Sequence, residues 1–179
     1  MLKHFFDIFA SFIGILFLLP FFLICSIAIA VDTGFPIFFK QMRVGKNGVD
    51  FKLIKFRTMT VKKDAEKGSF DAGSSVRVTK VGKILRKTKL DELPQLWNVL
   101  KGDMSLVGPR PEVRKWVDVY PEEWERVHTV RPGITDSASI KFRNEEEILS
   151  CSDKPEQTYC DVILPQKLSL YTDYVNSRT

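Results

Sequence analysis

The chain has 179 residues, 44% of them apolar, and a net charge of +5, so one domain is the default expectation. Three cysteines at unrelated spacings and only two histidines argue for a reducing environment and against a zinc site. A Ser-His-Asp or Cys-His site is also poorly supported, and we expect His128 to be structural or on the surface.

The positive charge is concentrated in two stretches. Residues 40–63 carry eight basic side chains and one acid, and residues 77–89 carry six basic side chains and no acid. Such stretches suit anionic lipid, a nucleotide diphosphate or nucleic acid. A solvated basic face explains them equally well when charge is considered alone.

The N-terminal segment is apolar. Residues 8–31 contain no charge between Asp7 and Asp32, and as a helix they would extend about 36 Å, enough to cross a bilayer. A signal peptide fits poorly, because an acid precedes the long apolar run and no cleavage pattern follows it.

Pro20 lies at the centre of this segment and is expected to kink or break the helix. The dense basic charge after the segment predicts that the main domain is cytoplasmic. A kinked spanning helix and a hairpin that returns to the same leaflet are both compatible with the sequence.

The next segments predict short elements in chain order. Residues 51–59 alternate imperfectly and predict a strand, preceded by a turn at 45–48. Residues 60–75 predict a loop. Over residues 76–87, apolar and basic side chains recur on different faces of a helical period, which is typical of a membrane-surface helix and also of an ordinary surface helix.

Asp91 and Glu92 precede Pro94. Because proline is tolerated in a first helical turn, a helix is expected to start near Asp91. Its N–H groups would favour an ionised carboxylate and a bound phosphate. The alternative is that Asp91 serves only as a helix N-cap.

Trp116, Tyr120 and Trp124 recur every four residues, with Pro121 dividing the region into two short helices. Aromatic side chains at this spacing are usually core, although in a membrane-anchored protein they could sit among lipid headgroups. A last helix is predicted around Leu168–Val175.

Four stretches of the chain resemble the bacterial monotopic phosphoglycosyl transferases. They are the apolar segment with Pro20, residues 51–59 (FKLIKFRTM), residues 90–111 (LDELPQLWNVLKGDMSLVGPRP) and residues 130–135 (VRPGIT). The likeness covers nearly the whole chain, and the longest block, residues 90–111, is too specific to be accidental.

The resemblance implies a mainly helical α+β fold. Residues 1–36 would form a re-entrant membrane hairpin broken at Pro20, and residues 37–179 a catalytic domain with a short β element and interfacial amphipathic helices. The protein would lie at the cytoplasmic face of the bacterial inner membrane.

The reaction implied is transfer of a sugar 1-phosphate from a UDP-sugar to undecaprenyl phosphate, with release of UMP, as the first step of a glycan pathway. Membrane lipid is a further implied partner, and nucleic acid is not one. A second copy of the chain and the later glycosyltransferases of the pathway are candidate protein partners.

The resemblance also assigns site residues. Asp91 would be the nucleophile that carries the phosphosugar covalently, and Glu92 would hold or position Mg²⁺. Arg110 would grip a phosphate and Arg57 would orient the acids. Four further positions match the family pattern, two basic and two acidic: Arg86, Arg143, Asp161 and Asp173.

Two departures from the family pattern stand out. Residues 136–143 (DSASIKFR) differ from the loop of many relatives, which leaves the identity of the transferred sugar open. Leu19 replaces a serine that precedes the proline in some relatives.

Two rival functions are a non-catalytic membrane scaffold, which would bind lipid without turnover, and a nucleic-acid-binding protein, for which no fold signature is present.

Overall fold

The computed structural model describes residues 2–60 and 77–178. Within them the α-helices are α1 (Leu2–Thr33), α2 (Lys80–Thr88), α3 (Leu96–Lys101), α4 (Arg114–Val117), α5 (Pro121–Val127), α6 (Ser137–Lys141), α7 (Glu145–Ser150), α8 (Pro155–Thr158) and α9 (Leu164–Asn176). Two 3₁₀-helices cover Lys46–Gly48 and Leu90–Gln95, and a π-helical turn at Tyr159–Ile163 leads into α9.

Two small sheets complete the described fold. Strand β1 (Phe38–Val44) pairs antiparallel with β2 (Asp50–Phe56), and β3 (Ser105–Val107) pairs parallel with β4 (Gly133–Thr135). The mainly helical α+β class expected from the sequence is confirmed.

The β1–β2 hairpin closes at the predicted turn. Asn47 and Gly48 both have positive φ, 57° and 73°, the left-handed conformation that a tight reversal requires. Strand β2 ends at Phe56, before the predicted end at Met59. Apart from Thr60, the predicted loop lies outside the described residues.

The basic amphipathic helix is present as α2 but begins later than predicted. Thr79 is its N-cap, and the Thr79 hydroxyl accepts a 2.9 Å hydrogen bond from the backbone N–H of Gly82. Lys80, Lys83 and Ile84 are exposed. That α2 lies at a lipid interface stays a prediction.

Helix α1 is continuous through Pro20, so the predicted break into two helices is not observed. A proline withholds only one backbone donor, and α1 has two buried residues before Pro20 and two after it: Asp7, Ser11, Cys25 and Ile29. By length and composition, α1 could cross a membrane, and only 11% of its most apolar window is buried, unlike the core helix of a soluble protein. Its outer face exposes Leu2, Phe5, Phe6, Phe9, Phe12, Ile13, Leu16, Phe17, Leu19, Leu23, Ile24, Ile27 and Val31.

Both ends of α1 contact the rest of the chain. Near its start, the Ser105 hydroxyl donates to Asp7 at 2.7 Å, and Lys3 donates to the Val107 carbonyl at 3.2 Å. At its end, Arg57 donates to the Thr33 hydroxyl at 2.6 Å. The apolar helix is therefore fixed to the domain that carries β2 and β3. The predicted domain boundary after residue 36 stays a prediction.

The largest hydrophobic cluster of the described residues joins α4, α5 and α9. Trp116 and Trp124 are 6% and 1% exposed, and Tyr171 of α9 packs on Trp124 with ring centroids 6.0 Å apart. These two tryptophans are therefore core residues, and their headgroup interpretation is wrong. The division of the region at Pro121 is confirmed.

Candidate active site

The acidic pair lies directly after α2. Lys89 has a left-handed backbone, φ 59°, which ends α2 and turns the chain into the 3₁₀-helix Leu90–Gln95. Asp91 and Glu92 occupy its first turn, close to the predicted helix start. The N-cap position belongs to Lys89, without a side-chain capping bond, so the interpretation of Asp91 as an N-cap is wrong.

Glu92 is held by two cations. Arg110 binds it with two hydrogen bonds, Nη1 to Oε2 at 3.0 Å and Nη2 to Oε1 at 2.5 Å. Lys55 Nζ donates to Oε1 at 2.8 Å. Burial opposes ionisation of Glu92, but Arg110 and Lys55 together outweigh burial and hold its pKa well below the ordinary value.

Asp91 differs from its neighbour. Its side chain is buried, and within residues 2–60 and 77–178 no group donates a hydrogen bond to its carboxylate. Burial raises the pKa of Asp91, and the charge of Glu92 adds to that rise, while Lys55 and Arg86 oppose it. Two adjacent carboxylates therefore have opposite pKa shifts, a pattern typical of groups with distinct chemical roles.

The loop that carries Arg110 is fixed by two glycines. Gly108 N–H donates to the Thr135 carbonyl at 3.1 Å, and Gly133 N–H donates to the Pro109 carbonyl at 2.9 Å. A Cβ on Gly133 would lie 2.1 Å from the Gly108 nitrogen, closer than any real contact. The β3–β4 pairing thus needs glycine at this crossing and sets where Arg110 emerges.

Two of the predicted basic site residues, Arg86 and Arg57, lie in different surroundings. Arg86 lies close enough to Asp91 to influence its pKa, and its role in the site stays a prediction. Arg57 is 5% exposed and donates to Thr33 and to the Gly34 carbonyl, both at 2.6 Å. The expectation that Arg57 orients the acids finds no support in these contacts, since Arg57 ties α1 to β2 instead.

Three other predicted residues lie on the surface. Arg143, Asp161 and Asp173 are exposed, and none of them is among the main charges acting on Asp91, Glu92 or Arg110. The acid that does act on Arg110, besides Glu92, is Asp136. It is buried and caps α6 by accepting from the Ser139 N–H at 2.8 Å.

Sequence reasoning missed Lys55 and Asp136 as site residues. Lys55 lies within the FKLIKFRTM motif, and in the sequence it is one of eight basic residues in the stretch 40–63. Burial, with the charge of Arg110, lowers the pKa of the Lys55 ammonium, and the carboxylates of Glu92 and Asp91 oppose that effect. Lys55 is therefore a half-buried cation whose charge is favoured by the acidic pair.

Glu92 keeps an oxygen that could bind a Mg²⁺ ion beside Asp91. Glu92 Oε1 accepts two hydrogen bonds and Oε2 one, which leaves a lone pair on Oε2. Among the described residues no cluster of three acidic, histidine or cysteine side chains could hold a metal ion. Mg²⁺ commonly uses one or two carboxylates, water and substrate phosphates, so the donor set fits a metal brought together with a phosphate ligand.

Known proteins resemble this chain over most of its length. The family model described as bacterial sugar transferase matches residues 1–176. The uncharacterized sugar transferase EpsL of Bacillus subtilis (strain 168) is 47% identical over 144 residues, which is 80% of this chain and 70% of that protein.

Two relatives are named for a reaction. The UDP-N-acetylgalactosamine-undecaprenyl-phosphate N-acetylgalactosaminephosphotransferase of Aeromonas hydrophila is 43% identical over 78% of this chain. The UDP-glucose:undecaprenyl-phosphate glucose-1-phosphate transferase of Klebsiella pneumoniae is 40% identical over 83% of it. The matches cover 34% and 33% of those two proteins, so this chain spans about a third of their length.

The chain belongs to the bacterial sugar transferase family. The family resemblance found in the sequence is confirmed by this match and by the relatives.

Proposed function

We propose that the chain is an enzyme, a phosphoglycosyl transferase that moves a sugar 1-phosphate from a UDP-sugar to undecaprenyl phosphate and starts a bacterial glycan pathway. The names of the relatives from Aeromonas hydrophila and Klebsiella pneumoniae support the substrate class. Those names differ in the sugar, which leaves the sugar of this chain open.

The unequal pair of carboxylates supports this proposal most directly. Glu92 is bonded to Arg110 and Lys55, whereas Asp91 is buried among cations with no hydrogen-bond donor in the described chain. A carboxylate without bound donors keeps its lone pairs available for attack. Nearby Lys55 and Arg86 favour the approach of a phosphate.

The chemistry takes two displacements at one phosphorus. An Asp91 oxygen attacks the phosphorus that bears the sugar, the bond to the bridging oxygen breaks, and UMP leaves with that bond's electrons. A phosphate oxygen of the lipid then attacks the same phosphorus and expels the Asp91 carboxylate. Splitting a transfer into two steps is covalent catalysis, and it lets the soluble product leave before the lipid reacts.

The fixed charges of the site would stabilise the transferring group. Arg110 presents a planar fork that suits phosphate oxygens, and its loop is held rigidly by the Gly108–Gly133 crossing. Glu92 would hold Mg²⁺, and the ion would offset the negative charge of the diphosphate.

We further propose that the protein lies in one leaflet with both ends of α1 on the cytoplasmic side. The contacts of Lys3 and Asp7 with β3, and of Thr33 with Arg57, support this placement. A helix that crossed the bilayer would carry one of its ends away from the domain.

The predicted protein partners stay predictions: a second copy of the chain, and the later glycosyltransferases of the pathway.

Replacement of the nucleophile tests the proposal. Asp91→Asn is expected to reduce UMP release from a UDP-sugar by roughly a thousandfold or more, whereas Asp161→Asn, a matched change on the surface, retains turnover. A panel of UDP-sugars with undecaprenyl phosphate and Mg²⁺ identifies the donor. Turnover by Asp91→Asn near the wild-type rate would exclude Asp91 as nucleophile.

The covalent intermediate has its own test. Wild-type protein incubated with the donor and no lipid is expected to carry a phosphosugar on the peptide that contains Asp91, as detected by mass spectrometry. An unmodified peptide under conditions that support turnover would contradict the two-step mechanism.

A further inference from the structure

The salt bridges of Glu92 lie where the proposed donor diphosphate has to bind. Glu92 is adjacent to Asp91, and its side chain is 12% exposed, against 18% for Lys55 and 32% for Arg110. Two half-buried cations therefore share one buried carboxylate directly beside the proposed nucleophile.

A carboxylate and a phosphate bind such a pair of cations in the same way. Both anions accept the two parallel N–H groups of an arginine fork and the point charge of a lysine. In the described structure the anion between Arg110 and Lys55 is Glu92. Glu92 thus has the position and chemistry of a stand-in for a phosphate group.

We propose that Glu92 and the donor diphosphate exchange partners. In the free protein Glu92 neutralises Arg110 and Lys55. When a nucleoside diphosphate binds, its phosphate oxygens take over the hydrogen bonds of both cations, and Glu92 is released to hold the divalent cation that accompanies the diphosphate. Lys55 becomes a phosphate-binding residue, a role that rests on the proposed function of the site.

Charge balance favours exchange over simple addition. A diphosphate placed beside Arg110 with Glu92 still bonded there would put three anionic groups, counting Asp91, around the same cations. Like charges a few ångströms apart repel strongly at a partly buried site. Moving Glu92 from the cations to a divalent cation reduces that repulsion and leaves both Glu92 and the diphosphate beside a positive charge.

Binding of UDP to the purified protein in detergent micelles, with EDTA present, tests the exchange without turnover. Glu92→Gln frees Arg110 and Lys55 and is expected to tighten UDP binding by on the order of tenfold. Asp91→Asn is the matched control, because it removes the same charge from the same turn but breaks no hydrogen bond to either cation. Asp91→Asn is expected to change the UDP affinity clearly less than Glu92→Gln does.

A Lys55→Met variant provides a second test of the exchange. In a Lys55→Met background, Glu92→Gln is expected to lose most of its gain in UDP affinity, since one of the two released cations is gone. With Mg²⁺ in place of EDTA, wild-type affinity is expected to rise and Glu92→Gln affinity to change little.

The outcomes separate the exchange from the proposed function. Equal tightening by Glu92→Gln and Asp91→Asn would overturn the exchange and leave the transferase intact. A UDP-bound structure in which Arg110 and Lys55 keep both contacts to Glu92 would do the same. If UDP bound to none of the variants, either with EDTA or with Mg²⁺, both the exchange and the proposed transferase function would be overturned.

Discussion

The guanidinium of Arg110 meets the carboxylate of Glu92 in two parallel hydrogen bonds, 3.0 and 2.5 Å long, across 18 residues of sequence. Lys55 reaches the same carboxylate from β2. Three segments that are separate in the chain, β2, the 3₁₀-helix Leu90–Gln95 and the loop after β3, therefore converge on one side chain, and Asp91 is placed beside it.

Loss of the arginine fork is expected to impair the reaction even when the charge is kept. Arg110→Lys cannot make both hydrogen bonds to Glu92 or to a phosphate, so UMP release is expected to fall by about tenfold to a hundredfold. Arg114→Lys, a surface arginine paired with Asp50, is the control. An Arg110→Lys variant with wild-type turnover would show that the fork is not needed.

The crossing of Gly108 and Gly133 is expected to be intolerant of any side chain. A Cβ on Gly133 would lie 2.1 Å from backbone nitrogen, so Gly133→Ala is expected to destabilise the fold by about 1–3 kcal/mol and to displace Arg110. At Gly14 of α1 the nearest atom to an added Cβ is 3.6 Å away, so Gly14→Ala serves as the tolerated control. Thermal unfolding in detergent and UMP release measure both effects.

Stability is expected to fall on acidification because of His128. Burial, with the charge of Arg114, lowers the pKa of the His128 imidazole to about 4, from an ordinary value of 6.5. Between those pH values the unfolded chain binds a proton that the folded chain does not, so the free energy of unfolding drops as pH falls from 6.5 towards 4.

His128→Phe removes this proton uptake and keeps a ring beside Trp124, on which His128 stacks. Urea midpoints at about pH 7 and about pH 5 measure the difference. The wild type is expected to lose more stability between the two pH values than the variant. Equal losses would place the acid sensitivity elsewhere.

Asp136 is expected to matter more than the two acids that the family resemblance selected. Asp136 is buried near Arg110 and caps α6 through the Ser139 N–H, so Asp136→Ala is expected to cost about 1 kcal/mol of stability and to lower turnover. Asp161→Ala and Asp173→Ala alter exposed side chains and are expected to leave both quantities unchanged. Larger losses in Asp161→Ala and Asp173→Ala than in Asp136→Ala would support the site residues that the family resemblance assigned.

The orientation of α1 is expected to place Leu2 on the same side of the membrane as the catalytic domain. Leu2→Cys introduces a thiol at an 86% exposed position, and the exposed native Cys151 reports the domain side once Cys25 and Cys160 are replaced by alanine. A membrane-impermeant maleimide is expected to label both thiols only after the cells are opened. Labelling of the introduced thiol alone in intact cells would establish a spanning helix.

Local sequence patterns predicted the individual elements of this protein well. The apolar length of α1, the turn at 45–48 and the helix that starts near Asp91 depend on side chains within a few residues of one another. The periodicity of apolar and basic residues predicted a helix from residue 76, but α2 begins at Lys80. Its N-cap is Thr79, whose hydroxyl accepts a hydrogen bond from the Gly82 N–H and so sets the start of the helix. Pro20 lies within α1 without ending it, because a proline removes only one backbone donor from the helix.

The family pattern in turn selected Asp91, Glu92 and Arg110, but it did not separate site residues from other residues of the same motifs. Arg57 donates through Nη2 to Thr33 and Gly34 at the end of α1, and Asp161 and Asp173 are exposed. Lys55 has no local feature that distinguishes it from the other lysines of its stretch. Only the packing of β2 against the 3₁₀-helix Leu90–Gln95 brings it to Glu92.

The sequence by itself determined that the chain has one long apolar segment, a basic domain and a motif block of the bacterial sugar transferases, since each of these is carried by residue type and spacing. Tertiary structure alone decided which charges meet. Electrostatic energy depends on distance and burial, and residues 55, 92 and 110 become neighbours only when the chain folds.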